Sequence, residues 1–409
     1  MKNIAKITTL LLLAIACTGQ NDPVIQTPND ASAIKLTVNQ QKRVNQDNEF
    51  AIDLLRKTIS STDETNVFVS PLSVSIALGM AWNGAFGTTK TEMETALKMS
   101  GMSVEDINSY YKIMQTTLPG IDPNTKLSIA NSLWYRTGFE VKPSYLKVNT
   151  DYFNAYVKEM DFSKTWAVDT INNWCARNTN NLIPTIIDNI PDAAVMYLTN
   201  AVYFKGIWRK KFDKNLTTEN FFTNEKFVEN KVNMMSQKDT FAYAFDNNAQ
   251  YVDLPYGNNA FSMTVILPVQ GKTTSDILNS LTSDNWSTIL SSLNKQQIML
   301  YMPRFKVENK FQLKNPLIEM GMKKAFTDFA DFSGIANAGL MISEVVHKTY
   351  VTVDEDGTEA AAVTNIGFVT TSMPNYPIVT VNHPFIFVIR EKSTGVILFV
   401  GKMGTIDKY

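Results

Sequence analysis

The sequence is poor in the residues that enzymes most often use for catalysis and metal binding. Its 409 residues include two histidines, His347 and His383, and two cysteines, Cys17 and Cys175. It contains no Gly-x-Ser-x-Gly, His-Glu-x-x-His, Cys-x-x-Cys or P-loop motif. A zinc site needs three or four convergent ligands. These shortages argue against an enzyme and predict that the chain uses neither a metal nor a cofactor.

An excess of positive charge is also missing. The net charge is −1, whereas nucleic-acid-binding domains are usually strongly basic. The densest cationic run, Arg209-Lys210-Lys211, is interpreted as a solvated surface. Nucleic acid is therefore not expected as a partner.

The N-terminus has the pattern of an export signal. Lys2 and Lys6 precede an apolar run over residues 7–16 that is too short to span a bilayer. The run ends at Cys17 and resembles the lipobox of bacterial lipoproteins, in which the cysteine is acylated. We predict a signal peptide over residues 1–16, lipid attachment at Cys17 and a flexible tether over residues 17–41. Plain secretion with cleavage elsewhere is the alternative.

With Cys17 acylated, no intramolecular disulfide is available, so Cys175 is predicted to be a small buried side chain. The protein is expected to be exported and bound to a bacterial membrane, at its periplasmic face or at the cell surface.

The remaining residues, 42–409, are predicted to form one α+β domain. Helical periodicity is concentrated in the first half, as at Phe50, Leu54 and Leu55, and strand-like runs dominate from Phe241 onward. This distribution favours large, mostly antiparallel sheets. Ser70 precedes Pro71 at the start of an apolar helical segment and is predicted to be its N-cap. A hydrolase that uses Ser70 with His347 is not excluded by spacing, although capping explains this serine more simply.

Residues 354–374 differ from the rest of the chain, because they form a long connection between two strand-like segments. Such connections are often functional. The alanines at 360–362 also permit a surface helix. Read with a period of two, however, one face runs Thr358, Ala360, Ala362, Thr364 and carries no charge. That face would fit a strand that enters an existing sheet.

This stretch resembles the reactive-centre loop of the serpin family, and Gly357 to Ala362 resemble the hinge of its inhibitory members. Further segments resemble family motifs in the same order along the chain. They are Asn66–Ser73, Asn200–Trp208, Leu254–Tyr256, Met302–Lys306, Asn382–Phe387 and Leu398–Gly401.

The resemblance implies one domain with three β-sheets, about nine helices and an exposed reactive-centre loop over about residues 354–377. It also implies a mechanism in which a target protease attacks the loop and forms an acyl-enzyme. The cut loop then inserts into the main sheet and traps the protease. The implied partner is a protease, and the protein is expected to be a monomer.

By resemblance, individual positions acquire roles, none of them catalytic. Ser70, Ser73, Asn200 and His347 would form a hydrogen-bonded shutter beneath the main sheet, and Trp208 would lie at the breach, where the loop first enters. His383 is expected in a structural turn. The hinge would comprise Glu355, Gly357, Thr358, Glu359, Ala360, Ala361 and Ala362.

The scissile bond is predicted at Thr371–Ser372, fourteen residues after Gly357 by the family's usual spacing. A count back from Asn382 gives Met373, which precedes Pro374. Phe368, Val369, Thr370 and Met373 would contribute to target recognition. No Lys or Arg lies between residues 358 and 374, so a trypsin-like target is disfavoured.

The expected targets are elastase-like, subtilisin-like or chymotrypsin-like serine proteases, and papain-like cysteine proteases remain open. The principal alternative is a non-inhibitory serpin that acts as a binding protein or chaperone. The small, uncharged hinge face argues against it.

Overall fold

The computed structural model describes residues 29–358 and 376–408. Within these ranges the chain forms nine α-helices. They are α1 Val38–Ser60, α2 Pro71–Trp82, α3 Gly87–Ala96, α4 Val104–Thr117, α5 Pro143–Phe153, α6 Trp166–Asn178, α7 Thr274–Ser280, α8 Ser283–Ser292 and α9 Lys314–Glu319.

The same ranges contain fourteen strands. They are β1 Val67–Val69, β2 Thr125–Arg136, β3 Tyr156–Met160, β4 Met196–Gly206, β5 Thr218–Thr223, β6 Glu229–Phe245, β7 Ala249–Pro255, β8 Phe261–Pro268, β9 Asn294–Pro303, β10 Phe305–Gln312, β11 Val346–Val353, β12 Ile378–Thr380, β13 Phe385–Glu391 and β14 Ile397–Met403.

These strands form sheets of nine, three and two strands. The nine-stranded sheet runs β1-β14-β13-β8-β7-β6-β9-β12, with β5 also paired to β6. The three-stranded sheet is β3-β2-β4, and the two-stranded sheet is β10-β11. Most pairs are antiparallel, and the parallel ones are β2 with β3 and β9 with β12. The predicted α+β architecture, with three sheets and nine helices, is confirmed.

Helix α6 covers one face of the three-stranded sheet, and the main core lies on the other. Trp174 and Cys175 of α6 pack with Trp134 of β2 in a separate apolar cluster. Cys175 is buried as predicted, and burial raises the pKa of its thiol to about 12. The main core is continuous through Phe68 of β1, which stacks on Phe387 and Phe399 with ring centroids 5.4 Å apart in each pair.

The N-terminal boundary of the domain differs from the prediction. The helix α1 begins at Val38, where Thr37 and Gln40 form a reciprocal capping box. Residues 38–41 of the predicted tether are therefore helical. The tether is further shortened because Ala31 N–H donates to the carbonyl of Asn258 at 2.9 Å. Within the described residues, no helix is long and apolar enough to cross a membrane.

Candidate functional site

No strand pairing joins β4 to β11 in the described part of the chain, although both strands are bound to the same short segment. That segment follows β11 and is called here the loop root, residues Asp354–Thr358. We call the boundary between β4 and β11 the seam.

The loop root turns back toward the seam within four residues. The N–H of Asp354 donates to the carbonyl of Gly357 at 2.9 Å, which closes the turn. The carboxylate of Asp354 accepts from the N–H groups of Asp356 and Gly357, at 2.9 and 3.3 Å. The turn reverses the chain, so Thr358 runs antiparallel to the strand that precedes it.

Thr358 is bound to both sides of the seam. Its N–H donates to the carbonyl of Gly206, the last residue of β4, at 2.7 Å. It also forms an antiparallel bridge with Val353, the last residue of β11. Its side chain is 1% exposed, and its hydroxyl lies 2.7 Å from the hydroxyl of Tyr256. The loop root therefore places Thr358 between the ends of β4 and β11.

Gly357 occupies a position that only glycine fits. Its φ is +149°, and it pairs with Ile207 in an antiparallel bridge. A Cβ at this position would lie 2.1 Å from the carbonyl oxygen of Gly206. The neighbouring strand end is thus too close for any side chain.

Trp208, predicted to lie where the loop first enters the sheet, contacts the loop root directly. Its indole Nε1 donates to the carbonyl of Asp354 at 2.9 Å, and its backbone N–H donates to the carbonyl of Asp356 at 2.9 Å. The indole stacks on Tyr256 with the ring centroids 4.4 Å apart and the planes 9° from parallel. Tyr256 therefore joins Trp208 to Thr358.

Two buried carboxylates hold the loop root. Glu355, 1% exposed, pairs with Nη2 of Arg304 at 2.6 Å. Asp356 pairs with Nζ of Lys211 at 2.8 Å and of Lys214 at 2.7 Å. Burial raises the pKa of Asp356, but the two ammonium groups outweigh burial and hold that pKa below its ordinary value.

The run Arg209-Lys210-Lys211 is largely solvated, as interpreted from the sequence, because the side chains of Lys210 and Lys211 are 62% and 41% exposed. Each of the three cations is also paired with a carboxylate. Arg209 pairs with Asp30, Lys210 with Asp239, and Lys211 with Asp356. The last of these pairs could not be predicted, because Lys211 and Asp356 are far apart in the sequence.

Beneath the seam, the start of α2 is bound to β11. The backbone N–H of Ser70 donates to Nε2 of His347 at 2.9 Å, so that nitrogen carries no proton. Burial lowers the pKa of His347 to about 4, which keeps the ring neutral. The hydroxyl of Ser70 donates to the carbonyl of Leu398 at 2.8 Å and makes no capping bond to α2. The predicted side-chain cap is therefore wrong, although Ser70 occupies the N-cap position.

One turn later, α2 is bound to β4. The hydroxyl of Ser73 donates to Oδ1 of Asn200, whose Nδ2 donates to Oδ1 of Asn131 on β2 at 2.6 Å. Asn131 in turn donates to Gln115 and, at 2.7 Å, to the carbonyl of Phe153. The four residues predicted for the shutter thus lie in two hydrogen-bonded pairs, one on each side of the seam.

The remaining predicted positions divide into two groups. His383 lies in the turn before β13, with Nε2 2.9 Å from the carbonyl oxygen of Pro268. Outside the described residues lie Cys17, Glu359, Ala360, Ala361, Ala362, Phe368, Val369, Thr370, Thr371, Ser372 and Met373.

Several residues of the site were given no role by the sequence. Tyr256 and Arg304 stand in segments that resemble family motifs, yet nothing in their local pattern indicates their contacts with the loop root. Asn131 lies in a strand whose alternation predicts only that it is buried. Within the described residues, no three His, Cys, Asp or Glu side chains are grouped so as to hold a metal ion.

Acid is expected to weaken the bond between α2 and β11. The pKa of His347 is about 4 in the folded chain and about 6.5 in an unfolded one. The stability that the neutral ring provides is therefore fully present above pH 6.5 and is lost as the pH falls toward 4. We expect a loss of about 3 kcal/mol across this window, from 1.36 kcal/mol per pKa unit.

The measurement is the thermal unfolding midpoint between pH 7 and 4 at one scan rate, for the wild type and for His347→Gln. The variant should lose less stability than the wild type over this range. Equal pH dependence in the two proteins would contradict the assignment.

The Asp356→Asn substitution should loosen the loop root, because it leaves Lys211 and Lys214 without the buried charge that they share. We expect a cost of about 1–2 kcal/mol, discounted for the partial exposure of both lysines. Amide hydrogen exchange at Trp208 and Thr358 should accelerate by about tenfold. Asp239→Asn is the matched control, because its partner Lys210 is 62% exposed. Equal stability losses and equal exchange rates in the two variants would contradict a role for the two Asp356 ion pairs in holding the loop root.

Comparison with known proteins identifies the family. The family model described as Serpin (serine protease inhibitor) matches residues 45–405. Intracellular coagulation inhibitor 2 of Tachypleus tridentatus is 34% identical over 366 residues, 87% of this chain and 89% of that protein. Neuroserpin of Homo sapiens is 31% identical over 370 residues, 87% of this chain and 90% of that protein.

Solved structures agree with this result. The thermophilic serpin Tengpin in its native state has a TM-score of 0.83 and 33% identity, covering 93% of this chain and 97% of its own. Human thyroxine-binding globulin, in complex with its ligand, has a TM-score of 0.81 and 27% identity, covering 90% of this chain and 100% of its own. Because the family model matches most of the sequence, the chain belongs to the serpins, a family whose members are mostly protease inhibitors rather than enzymes.

Proposed function

We propose that this serpin traps its target protease by inserting the cleaved loop into the seam between β4 and β11. The observation that carries the proposal is that Thr358 is bound to Gly206 on one side and to Val353 on the other. A strand that continues from Thr358 would be antiparallel to both neighbours and would join the three-stranded and two-stranded sheets into one.

Until the acyl-enzyme forms, the protease would react with the loop as it reacts with an ordinary peptide substrate. The protease nucleophile attacks the carbonyl of Thr371, the bond to the nitrogen of Ser372 breaks, and the new amine leaves with a proton from the protease. The released loop would then extend into the seam. About fifteen residues at roughly 3.3 Å each would carry the protease about 50 Å before it could deacylate.

The proposed targets are elastase-like, subtilisin-like or chymotrypsin-like serine proteases, with papain-like cysteine proteases as a further class. The support is the sequence of the loop, which offers Phe368, Val369 and Thr371 and no cationic residue between positions 358 and 374. Trypsin-like enzymes need a cation for their acidic specificity pocket.

The test is to mix the domain, from residue 29 onward, with pancreatic elastase and with subtilisin, and to resolve the products on denaturing gels. We expect a covalent band at the summed mass and release of a C-terminal peptide that begins at Ser372. Cleavage without a covalent band in both reactions, and with papain, would refute trapping. A chain that no protease cuts would point to a binding role, as in the thyroxine-binding neighbour.

Thr358→Arg should convert trapping into simple cleavage. Thr358 is buried between two strand ends, so a charged side chain there would have to be desolvated at a cost of several kcal/mol. The measurement is the number of inhibitor molecules consumed per protease molecule, which should rise at least tenfold. Thr358→Ser keeps the hydroxyl that meets Tyr256 and should behave as wild type. Full trapping by the arginine variant would contradict insertion of the loop at the seam.

We also propose that the protein is exported and anchored through a lipid on Cys17. The support is the short apolar run of residues 7–16 directly before this cysteine. Cells expressing the full chain should incorporate labelled palmitate into the wild type but not into Cys17→Ala. Equal labelling of both would refute attachment at this residue.

A further inference from the structure

A small cavity lies at the end of the seam that is farthest from the loop root. Its volume is about 270 Å³, just below the range of about 300–1,000 Å³ that is usual for ligand pockets. Val346, the first residue of β11, lines it together with residues 186–189 between α6 and β4, which we call the covering segment. The loop root follows the other end of β11, about 23 Å away at about 3.3 Å per residue. We call this far end the lower end of the seam.

The covering segment contacts both sides of the seam. Ile187 belongs to the apolar cluster that contains Ala201 of β4, and Val346 of β11 packs against the same cluster. The next residue, Asp188, pairs with Nζ of Lys310 on β10 at 2.8 Å. The cavity is therefore enclosed between the covering segment and the strands on one side of the seam.

Side-chain amides fix the backbone on both sides of the cavity. Oδ1 of Asn172 on α6 accepts from the N–H groups of Ile186 and Ile187 at 2.8 and 3.1 Å, and its Nδ2 donates to the carbonyl of Ile187 at 2.9 Å. Across the cavity, Oε1 of Gln312 on β10 accepts from the N–H of Val345 at 2.7 Å. The shape of the cavity is therefore set before a ligand enters.

Two carboxylates and one ammonium group line the cavity, which gives it a net charge of −1. Asp188 and Lys310 pair with each other, so their charges cancel. The carboxylate of Glu344 accepts from Nε2 of Gln312 at 3.4 Å, a long hydrogen bond to a neutral group. The net negative charge is therefore located at Glu344.

Glu344 also lies close to the opposite side of the seam. Burial and then the nearby carboxylate of Glu344 raise the pKa of Tyr197, the second residue of β4, to about 12. A cation bound at Glu344 would therefore lie near the lower ends of both β4 and β11.

We propose that this cavity binds a small amine, whose ammonium group pairs with Glu344 and whose apolar body packs on Ile186, Ile187 and Val346. The apolar lining favours a ligand with a hydrocarbon body, and the net negative charge favours a cation over a neutral or anionic molecule of the same shape. The volume limits the ligand to a small molecule.

The bound amine would join the covering segment to β11 and hold the lower end of the seam closed. A strand that enters from the loop root and pairs with β11 as far as Val346 would have to displace it. The amine would therefore slow insertion of the loop without slowing its cleavage. This effect on insertion rests on the proposed function, whereas binding of the amine does not.

The first experiment measures the binding of 2-phenylethylamine to the full-length protein by isothermal titration calorimetry at pH 7 and low ionic strength. The matched ligand is 2-phenylethanol, which has the same shape and no charge. We expect a dissociation constant of about 1 mM for the amine, as suits a ligand this small, and binding of the alcohol that is at least about tenfold weaker.

Two variants should change the affinity for the amine in opposite directions. Glu344→Gln removes the net charge and should weaken binding at least about fivefold, whereas Lys310→Met leaves Asp188 without its cation and should tighten binding about threefold. Glu308→Gln, on β10 but outside the cavity lining, is the charge-matched control and should stay within about twofold of the wild type. Equal affinities in Glu344→Gln and this control, or equal binding of the amine and the alcohol, would overturn the site.

The second experiment adds the amine, at about ten times its dissociation constant, to the reaction with pancreatic elastase. The number of inhibitor molecules consumed per protease molecule should rise at least about threefold for the wild type but not for Glu344→Gln, while the total rate of attack on the loop stays unchanged. Unchanged stoichiometry at saturating amine would overturn closure of the seam. If no covalent complex forms even without the amine, the proposed function fails, and calorimetry still reports whether the cavity binds its ligand.

Discussion

The first turn of α2 binds to both sides of the seam, and the rest of the site depends on this arrangement. Ser70 holds β11 through His347, and Ser73 holds β4 through Asn200. In the described residues these strands are joined to one helix turn rather than to each other. The two half-sheets can therefore accept another strand without breaking a ladder between them.

The loop root supplies the residue that lies between the two strands. Its turn reverses the chain, its two carboxylates are held by Arg304, Lys211 and Lys214, and Thr358 is left between the strand ends. Successive residues of a new strand could form hydrogen bonds alternately to β4 and to β11, and every second side chain would be buried on the inner face. These hydrogen bonds and this burial would drive insertion only if the uncut chain lacks them. An uncut chain of this kind is metastable, because the inserted state has the lower free energy.

Much of this could be predicted from local sequence. Alternating burial in β11 and the apolar run of β4 follow from periodicity, and the small residues after Gly357 indicate a segment that can enter a sheet. The contacts of Lys211 and Tyr256 with the loop root could not be predicted, because they join residues more than a hundred positions apart. The cap predicted at Ser70 fails for the same reason, since the carbonyl of Leu398 accepts the hydroxyl bond instead. Most of the long strand β6 lies before Phe241, outside the predicted strand-rich region, because its polar and apolar residues do not alternate cleanly.

The most direct test of the seam is amide hydrogen exchange along β4 and β11, compared before and after a protease has cut the loop. The account predicts that cleavage slows exchange in both strands together, while exchange in β8 and β13 of the nine-stranded sheet stays unchanged. Unchanged exchange in β4 and β11 after complete cleavage would contradict insertion at the seam.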